Sequence, residues 1–300
     1  MKGGYWMIRT IKSGKVIEKS QFPVGERRPR KPRRKGSSSA AKRDSNLRSS
    51  ERRLAQALNC NFEEGDLLLT LTYSDEALEQ VGADGQDKAC SLFARKLTRI
   101  LGKIGIKLRG IWMTADKDSE SLDPVRVHHH LVVKREGWEI CRDRSGKIVD
   151  TKVGGRSLSS LWSYGIASVE PLKDQDDYTP LAVYLVRQAK SGADEKKWHS
   201  TRNLAKPIVK SEIVAARVRE LRAPGGADVK EVGRYDVETG SHYLRYILPD
   251  RSSERKIHAI RAEIDKLEDD LALVGSQLAR STLEQAIRKK QQELRALGAC

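Results

Sequence analysis

The clearest pattern in the chain is a two-residue alternation of apolar and polar positions from Asp66 to Tyr73. Leucines occupy every second position of this segment, and threonines occupy most of the positions between them. Successive side chains of a β-strand point to opposite faces of a sheet, so the alternation predicts a central strand. Similar runs bounded by turn residues predict three more strands, at residues 110–114, 125–134 and 165–170.

Segments with the helical spacing of apolar residues lie around these strands. A strand pair about the Ser13-Gly14 turn precedes them, and a hairpin around residues 238–240 follows them. The mixture predicts an α+β fold with an antiparallel sheet of about five strands and helices mainly on one face. The predicted helices cover residues 45–57, 88–101, 156–162 and 180–190.

The last part of the chain, residues 253–300, has a different pattern. From Ile257 onward its apolar positions alternate by three and four, which is the spacing of a helix-packing seam. Ser281 and Glu284 have the spacing of a capping box, which predicts a second helix running to Leu297. Two such helices form either a helical hairpin within one chain or a coiled coil between two chains. The second alternative implies a homodimer.

Charge indicates the class of partner. The 300 residues carry a formal net charge of +16, and the sequence pI is about 9.7. When Lys and Arg side chains neutralise the phosphates of a nucleic acid, the counterions held by those phosphates are released, which favours binding. A nucleic acid is therefore favoured as the partner over an acidic protein or a membrane. No apolar run approaches the roughly 18 residues that span a bilayer, and the first residues are too polar for a signal peptide. The four cysteines form no CxxC pair, which favours a reducing cytoplasm.

Much of the positive charge lies in a basic arm. From Arg27 to Arg53 there are twelve Lys or Arg residues against two acids. This density favours contact with DNA phosphates, with a disordered solubility tail as the alternative. The chain is therefore predicted to have four parts, which are a strand pair with the arm (1–44), a catalytic domain (45–215), a β-hairpin extension (216–252) and a helical tail (253–300).

Three consecutive histidines lie inside the β-branched strand that ends near Lys134. Residues i and i+2 of a strand share a face, so His128 and His130 project together and could bind one metal ion. His129 projects to the other face with Val127 and is predicted to be buried. A purely structural role for the pair is the alternative.

A tyrosine on the helix at 180–190 is the second candidate. Tyr184 and Arg187 lie one turn apart on the same side of that helix, which places a phenol beside a cation. A nearby cation and a metal-polarised phosphate can together make a phenolic oxygen a nucleophile. Simple packing of Tyr184 is the alternative.

The order of these pieces resembles that of HUH-type endonucleases, specifically the rolling-circle replication proteins of filamentous phages and related plasmids. The resemblance covers roughly residues 45–210. Leu69 to Tyr73 is similar to the first motif of that family, the three histidines to its metal motif, and Tyr184 with Arg187 to its tyrosine motif. Segments 161–165 and 198–204 are similar to sequences that flank these motifs. The family has an antiparallel sheet like that of an RNA-recognition motif.

The resemblance implies an activity and a site. His128 and His130 would hold Mg²⁺ or Mn²⁺ at the scissile phosphate, and Tyr184 would attack that phosphate in single-stranded DNA. The product would be a 5′-phosphotyrosyl link and a free 3′-OH that a host polymerase extends. Reversal of the step re-joins the strand, which is how such proteins start and end rolling-circle replication.

The chain departs from the family at two positions. Family members place a Glu at the end of the strand before the histidines, whereas this chain has Ala115 there and Asp116 one residue later. Asp116 is the predicted third metal ligand, provided that a bulge turns it to the histidine face. The family's Lys after the tyrosine is replaced by Arg187, which keeps the charge, and Lys190 is a weak substitute. Tyr178 is an alternative second nucleophile, or a packing residue.

Several further residues are predicted to contact DNA. Trp198 lies among basic residues that follow the tyrosine helix, a composition suited to stacking a base and gripping phosphates. An ordinary solvated loop is the alternative reading of that segment. The full set of predicted DNA contacts is Arg30, Arg33, Arg34, Thr70, Thr72, Lys190, Trp198 and Arg202.

The sequence therefore predicts a nickase that acts on single-stranded origin DNA in the cytoplasm of a bacterial host, with a host helicase or polymerase as further partners. Two other hypotheses remain open. One is a DNA-binding protein whose ancestral site has decayed, which the missing Glu favours. The other is a transposase or mobilisation nickase with the same chemistry.

Overall fold

In the computed structural model, residues 1–247 form one compact unit and residues 248–300 form a second. The predicted DNA contacts Arg30, Arg33 and Arg34 lie outside the described residues. The structure describes residues 5–24, 40–190, 197–215, 220–236, 241–248 and 251–296.

The first unit contains thirteen strands and four helices among the described residues. The strands are β1 (Tyr5–Ser13), β2 (Val16–Val24), β3 (Leu67–Thr72), β4 (Gly110–Lys117), β5 (Pro124–Val133), β6 (Trp138–Arg142), β7 (Ile148–Val153), β8 (Arg156–Ser157), β9 (Ala167–Pro171), β10 (His199–Ser200), β11 (Ile208–Val214), β12 (Asp228–Asp236) and β13 (Ser241–Ile247). The helices are α1 (Ala40–Asn61), α2 (Asp75–Lys103), α3 (Leu158–Leu161) and α4 (Thr179–Gln188).

The central sheet has five antiparallel strands in the order β10-β4-β5-β3-β9. The α+β fold and its antiparallel five-stranded sheet, both predicted from the sequence, are thus confirmed. β5 is the middle strand of this sheet, so each of its histidines lies between a residue of β3 and a residue of β4. Thr70 of β3 and Met113 of β4 pair with His130 across the sheet.

Helices cover both faces of this sheet, whereas the sequence predicted them mainly on one. The leucines of β3 at positions 67, 69 and 71 are fully buried in a cluster that includes Phe93 and Leu97 of α2. The opposite face joins a second cluster that includes Leu54 of α1 and Leu185 of α4. Helices also cover this second face because α1 and α4 each have an apolar side that packs against it.

Helix α2 starts thirteen residues before the predicted start at residue 88. The Ser74 side chain accepts a hydrogen bond from the amide of Ala77, and Asp75 and Glu76 lie in the first turn, where acids oppose the positive helix end. Gly82 has a φ of 63°, which interrupts the helix with a kink. The helical spacing in the sequence therefore identified only the part after the kink.

A second five-stranded sheet has the order β11-β1-β2-β13-β12. The N-terminal strand pair and the β12-β13 hairpin are parts of this sheet, together with β11 from the predicted catalytic domain. The predicted parts 1–44, 45–215 and 216–252 are therefore joined in one unit. The buried carboxylate of Glu18 on β2 accepts hydrogen bonds from Gln56 of α1 and from Tyr243 of β13, which ties α1 to this sheet.

The remaining strands, β6, β7 and β8, form a small sheet. Trp138 and Val153 from this sheet, with Leu158 and Leu161 of α3, extend the core cluster on the α2 side.

The second unit consists of two helices, α5 (Arg251–Leu273) and α6 (Gln277–Ala296). They pack against each other within one chain, with Ile287 and Leu294 buried and an ion pair of 2.8 Å between Lys290 and Glu263. The structure thus has the helical hairpin. Ser281 lies inside α6, so the predicted capping box does not start this helix. None of the described helices is long and apolar enough to cross a membrane.

Candidate metal and tyrosine site

The two histidines predicted to share a face of β5 are in contact. Nε2 of His128 lies 3.1 Å from Nε2 of His130, and the rings meet edge to face with centroids 4.7 Å apart. The other ring nitrogen of His128 is 2.9 Å from the carbonyl oxygen of Arg126. Because Nδ1 then donates to that carbonyl, Nε2 of His128 is left with a free electron pair.

His130 is the buried member of the pair. Its pKa is lowered to about 4, mainly by burial and further by the neighbouring His128. The imidazole is therefore neutral at pH 7, which is the form that binds metals. Its Nδ1 lies 3.2 Å from the hydroxyl of Thr70, which fixes the orientation of the ring. Thr70, for which DNA contact stays a prediction, therefore also orients His130.

Gln188, at the end of α4, completes this group, and sequence reasoning missed it. The side-chain oxygen of Gln188 lies 2.9 Å from Nε2 of His130, and Gln188 is only 5% exposed. The signal that could have identified it is its position four residues after Tyr184, which places both on one side of the helix. The helix end is held over the sheet by a hydrogen bond of 2.9 Å from the Lys190 amide to the Thr114 carbonyl.

The spacing of these donor atoms resembles that of metal ligands. Adjacent ligands of an octahedral Mg²⁺ at about 2.1 Å lie ~3.0 Å from each other. The separations found are 3.1 Å between the two histidine nitrogens and 2.9 Å from His130 to the amide oxygen of Gln188. The two imidazole nitrogens and the amide oxygen are donors of a kind that could hold such an ion, although both separations are also ordinary hydrogen-bond distances.

Asp116, the predicted third ligand, does not join the pair. Among the described residues, no three His, Cys, Asp or Glu side chains form a group that could hold a metal ion. Ala115 is the residue that pairs with His128 across the sheet, and the register shifts only after it, between Ala115 and Lys117. The irregularity thus lies at Asp116 itself, and one carboxylate oxygen of Asp116 is buried without a hydrogen-bond partner among the described residues.

Tyr184 lies next to the pair and is accessible. Its ring centroid is 5.9 Å from that of His130, and the residue is 40% exposed. It forms part of the wall of an open cleft of about 650 Å³. Three cations, Arg187, Lys230 and Arg245, and three acids, Glu120, Asp176 and Asp177, also line this cleft. The predicted nucleophile is thus brought beside the predicted metal ligands by tertiary structure, since α4 packs against β4, the neighbour of β5.

The cations predicted to assist Tyr184 have other partners. The guanidinium of Arg187 lies 3.6 Å from the carboxylate of Glu51 on α1, and burial raises the pKa of that carboxyl group. The ammonium of Lys190 donates to the Ala83 carbonyl at 2.7 Å and to the Gln86 side chain at 3.1 Å. Arg187 keeps half of its side chain exposed at the cleft, whereas Lys190 stabilises the kinked part of α2.

The middle histidine has a separate role behind the sheet, as the sequence predicted. His129 is fully buried, and burial lowers its pKa to about 3. Its Nε2 lies 2.6 Å from the Tyr73 hydroxyl and its Nδ1 3.1 Å from the Thr114 hydroxyl, which in turn donates to Asp87. These bonds hold the middle of β5 and therefore the two flanking histidines.

The other predicted residues are dispersed. The Thr72 hydroxyl donates to the Ile166 carbonyl at 3.3 Å, on the same face as His128. Trp198 packs partly buried against the second core cluster, and Arg202 is exposed in the segment after β10. Tyr178 is 3% exposed within the same cluster, so it is a packing residue rather than a second accessible phenol.

Comparisons with protein families, with curated proteins and with solved structures find nothing that matches this chain.

Proposed function

We propose that the protein nicks single-stranded DNA by transesterification, with Tyr184 as the nucleophile. The observation that carries this proposal is the position of the exposed Tyr184 ring, 5.9 Å from a neutral, buried His130 that contacts both His128 and Gln188. The solvent-accessible phenol of Tyr184 therefore lies next to side chains of the types that bind metal ions.

In the proposed reaction, Tyr184 exchanges one phosphoester bond for another. The Tyr184 oxygen forms a bond to phosphorus while the bond from phosphorus to O3′ breaks. The phenolic proton passes to water, and O3′ takes up a proton, so one phosphoester replaces another and no cofactor energy is consumed. Reversal of the same exchange re-joins the strand.

His128, His130 and Gln188 would hold Mg²⁺ or Mn²⁺. Such an ion withdraws electron density from the phosphate oxygens and stabilises the charge that develops on them. The burial that keeps His130 neutral and the hydroxyl of Thr70 that orients its ring would both favour loading at pH 7. Exposed Arg187, at the rim of the cleft, would attract the phosphate backbone.

The test is a comparison of the wild-type chain with Tyr184→Phe on labelled single-stranded DNA with Mn²⁺, read on a denaturing gel. We expect a covalent protein–DNA band in the wild type that is absent from Tyr184→Phe. Tyr178→Phe is the matched control and should keep the band. A band that persists in Tyr184→Phe, or no band across candidate origins with both metals, would contradict the proposal.

A second candidate function is DNA binding without catalysis. The observation that favours it is Ala115, which lies beside His128 where an acidic ligand would complete the metal site. In that case the gel shows binding of DNA by the wild type without a covalent adduct. A transposase or mobilisation nickase would give the same adduct as a replication protein, and the preferred DNA separates these roles.

For a replication protein, the DNA is a single-stranded origin in the cytoplasm of a bacterial host. The net charge of +16 supports a nucleic-acid partner. A host helicase and polymerase would use the exposed strand and the free 3′-OH to continue synthesis.

A further inference from the structure

Strand β11 lies at one edge of the second five-stranded sheet and is unusually open. Its one neighbour among the described strands is β1, and six of its seven residues are exposed. Ile208, Val209 and Ile213 are 59%, 54% and 63% exposed. An edge strand with exposed apolar side chains offers backbone donors and acceptors to another strand.

The two edges of this sheet differ in regularity. β12, at the other edge, has register shifts between Val229 and Glu231 and between Arg234 and Asp236. Such bulges twist an edge and discourage further pairing. β11 pairs with β1 through seven consecutive residues without a shift. The regular edge is therefore the one suited to accept an additional strand.

Residues of β11 at equal distances before and after its middle residue are similar in type or opposite in charge. It reads Ile-Val-Lys-Ser-Glu-Ile-Val, with Ser211 at the centre, Lys210 on one side and Glu212 on the other. An antiparallel pair of two such strands centred on Ser211 places each Lys210 opposite the Glu212 of the other copy. It also places Val209 opposite Ile213 and Ile208 opposite Val214, so every cross-strand pair is complementary.

We propose that β11 pairs antiparallel with β11 of a second copy of this chain, joining two five-stranded sheets into one of ten strands. Charge selects this register. Moving the centre to residue 210 or to residue 212 places two lysines or two glutamates opposite each other, which is unfavourable. This inference does not depend on the proposed nickase activity, because β11 contains none of the residues of the metal and tyrosine site.

The first test is the oligomeric state of the full chain by sedimentation over a range of concentrations. We expect a reversible dimer in the wild type. Lys210→Glu and Glu212→Lys each place like charges opposite each other at two pairs and should weaken the dimer about tenfold or more. The double variant with both changes exchanges the charges, restores both opposite-charge pairs and should dimerise like the wild type.

A mixture of the two single variants tests the pairing of these charges most directly. A chain with Glu at positions 210 and 212 and a chain with Lys at both are complementary only to each other. We expect the equimolar mixture to form a heterodimer with wild-type stability, while each variant alone stays mainly monomeric. Thermal unfolding of each variant by itself checks that the exposed substitutions leave the fold intact.

A cross-link tests the register. Ser211→Cys places two thiols opposite each other on the two-fold axis, so mild oxidation should give a disulfide-linked dimer. Val232→Cys, on the exposed part of the bulged edge β12, is the matched control and should give only the background of the wild-type cysteines. A monomeric wild type at every soluble concentration overturns the proposal, and so does a dimer that both single charge variants leave unchanged.

Discussion

The amide oxygen of Gln188 lies 2.9 Å from Nε2 of His130, so the last turn of α4 contributes a ligand-type atom to a pair of histidines on the central strand. Tyr184 lies one turn earlier on the same helix. A single helix therefore supplies both the accessible phenol and the third donor of the group. The position of α4 decides the geometry of the whole site.

Replacing Gln188 should weaken metal binding. Gln188→Ala removes one of the three donor atoms, and we expect the dissociation constant for Mn²⁺ to rise about tenfold or more, by analogy with losses at metal sites. Gln188→Glu keeps an oxygen donor and adds a charge, so it should bind Mn²⁺ at least as well as the wild type. Titration calorimetry measures both. Equal affinities for Gln188→Ala and the wild type would remove Gln188 from the site.

Burial of Tyr178 should make the fold sensitive to alkali. Burial raises the pKa of Tyr178 to about 12, whereas a tyrosine in the unfolded chain titrates near 10. The folded state disfavours the ionised phenol, so the related stability is fully present below about pH 10 and is lost as the pH rises towards 12. The expected loss at pH 11 is about 1 kcal/mol.

Tyr178→Phe isolates this effect. The Tyr178 hydroxyl is buried without a hydrogen-bond partner among the described residues, so its removal should leave the free energy of unfolding at pH 7 unchanged or slightly higher. Between pH 9 and 11 the variant should lose about 1 kcal/mol less than the wild type in urea titrations. Parallel curves for the two proteins over that range would show that Tyr178 is not responsible.

Asp66 should be a strong determinant of stability far from the site. Its buried carboxylate accepts hydrogen bonds from the amides of Glu63 and Arg135 and from the ammonium of Lys134, all at 2.9–3.0 Å. Asp66→Ala leaves these donors without their acceptor and should cost about 3 kcal/mol in the free energy of unfolding.

The control lies at the same lysine. The Glu63 side chain contacts Lys134 at 2.5 Å but is 77% exposed. Glu63→Gln should therefore change the stability by less than about 0.5 kcal/mol. If the two substitutions cost the same, burial does not explain the contribution of Asp66.

Gly165 should be required for the position of the β3 end beside His128. A Cβ at this residue would collide with the backbone of Thr72 and Tyr73. Gly165→Ala should thus destabilise the fold by about 1–3 kcal/mol and weaken Mn²⁺ binding, because Thr72 pairs with His128. Gly225→Ala, where a Cβ has open space, is the control and should change neither property.

The sequence predicted those parts of the fold and site that depend on local periodicity. The two-residue period of a strand is enough to place His128 and His130 on one face and His129 on the other, and the antiparallel sheet of the α+β fold is confirmed. Gln188 could not be recognised in this way. Its position one turn after Tyr184 places it on the same side of the helix, but its contact with His130 depends on how α4 packs on the central sheet, which local periodicity does not give.

The grouping of the strands was also beyond local pattern. The N-terminal pair was predicted as a separate part, whereas its neighbours in the sheet are β11 and β13. Strand partners distant in sequence are chosen by tertiary packing, which a single sequence does not display. The contact of Arg187 with Glu51 has the same origin, because α1 and α4 meet only in the folded unit.

The arrangement of the second sheet has a consequence for how the protein is made. β1 and β2 leave the ribosome before their outer neighbours, which follow roughly 180 residues or more later. At about 5–20 residues per second, this hairpin waits on the order of ten seconds or longer for β11 and β13. An isolated two-stranded hairpin is marginally stable in water. Closure of this sheet is therefore a late event of synthesis, and a nascent chain that stalls before β13 would present uncovered strands to chaperones and proteases.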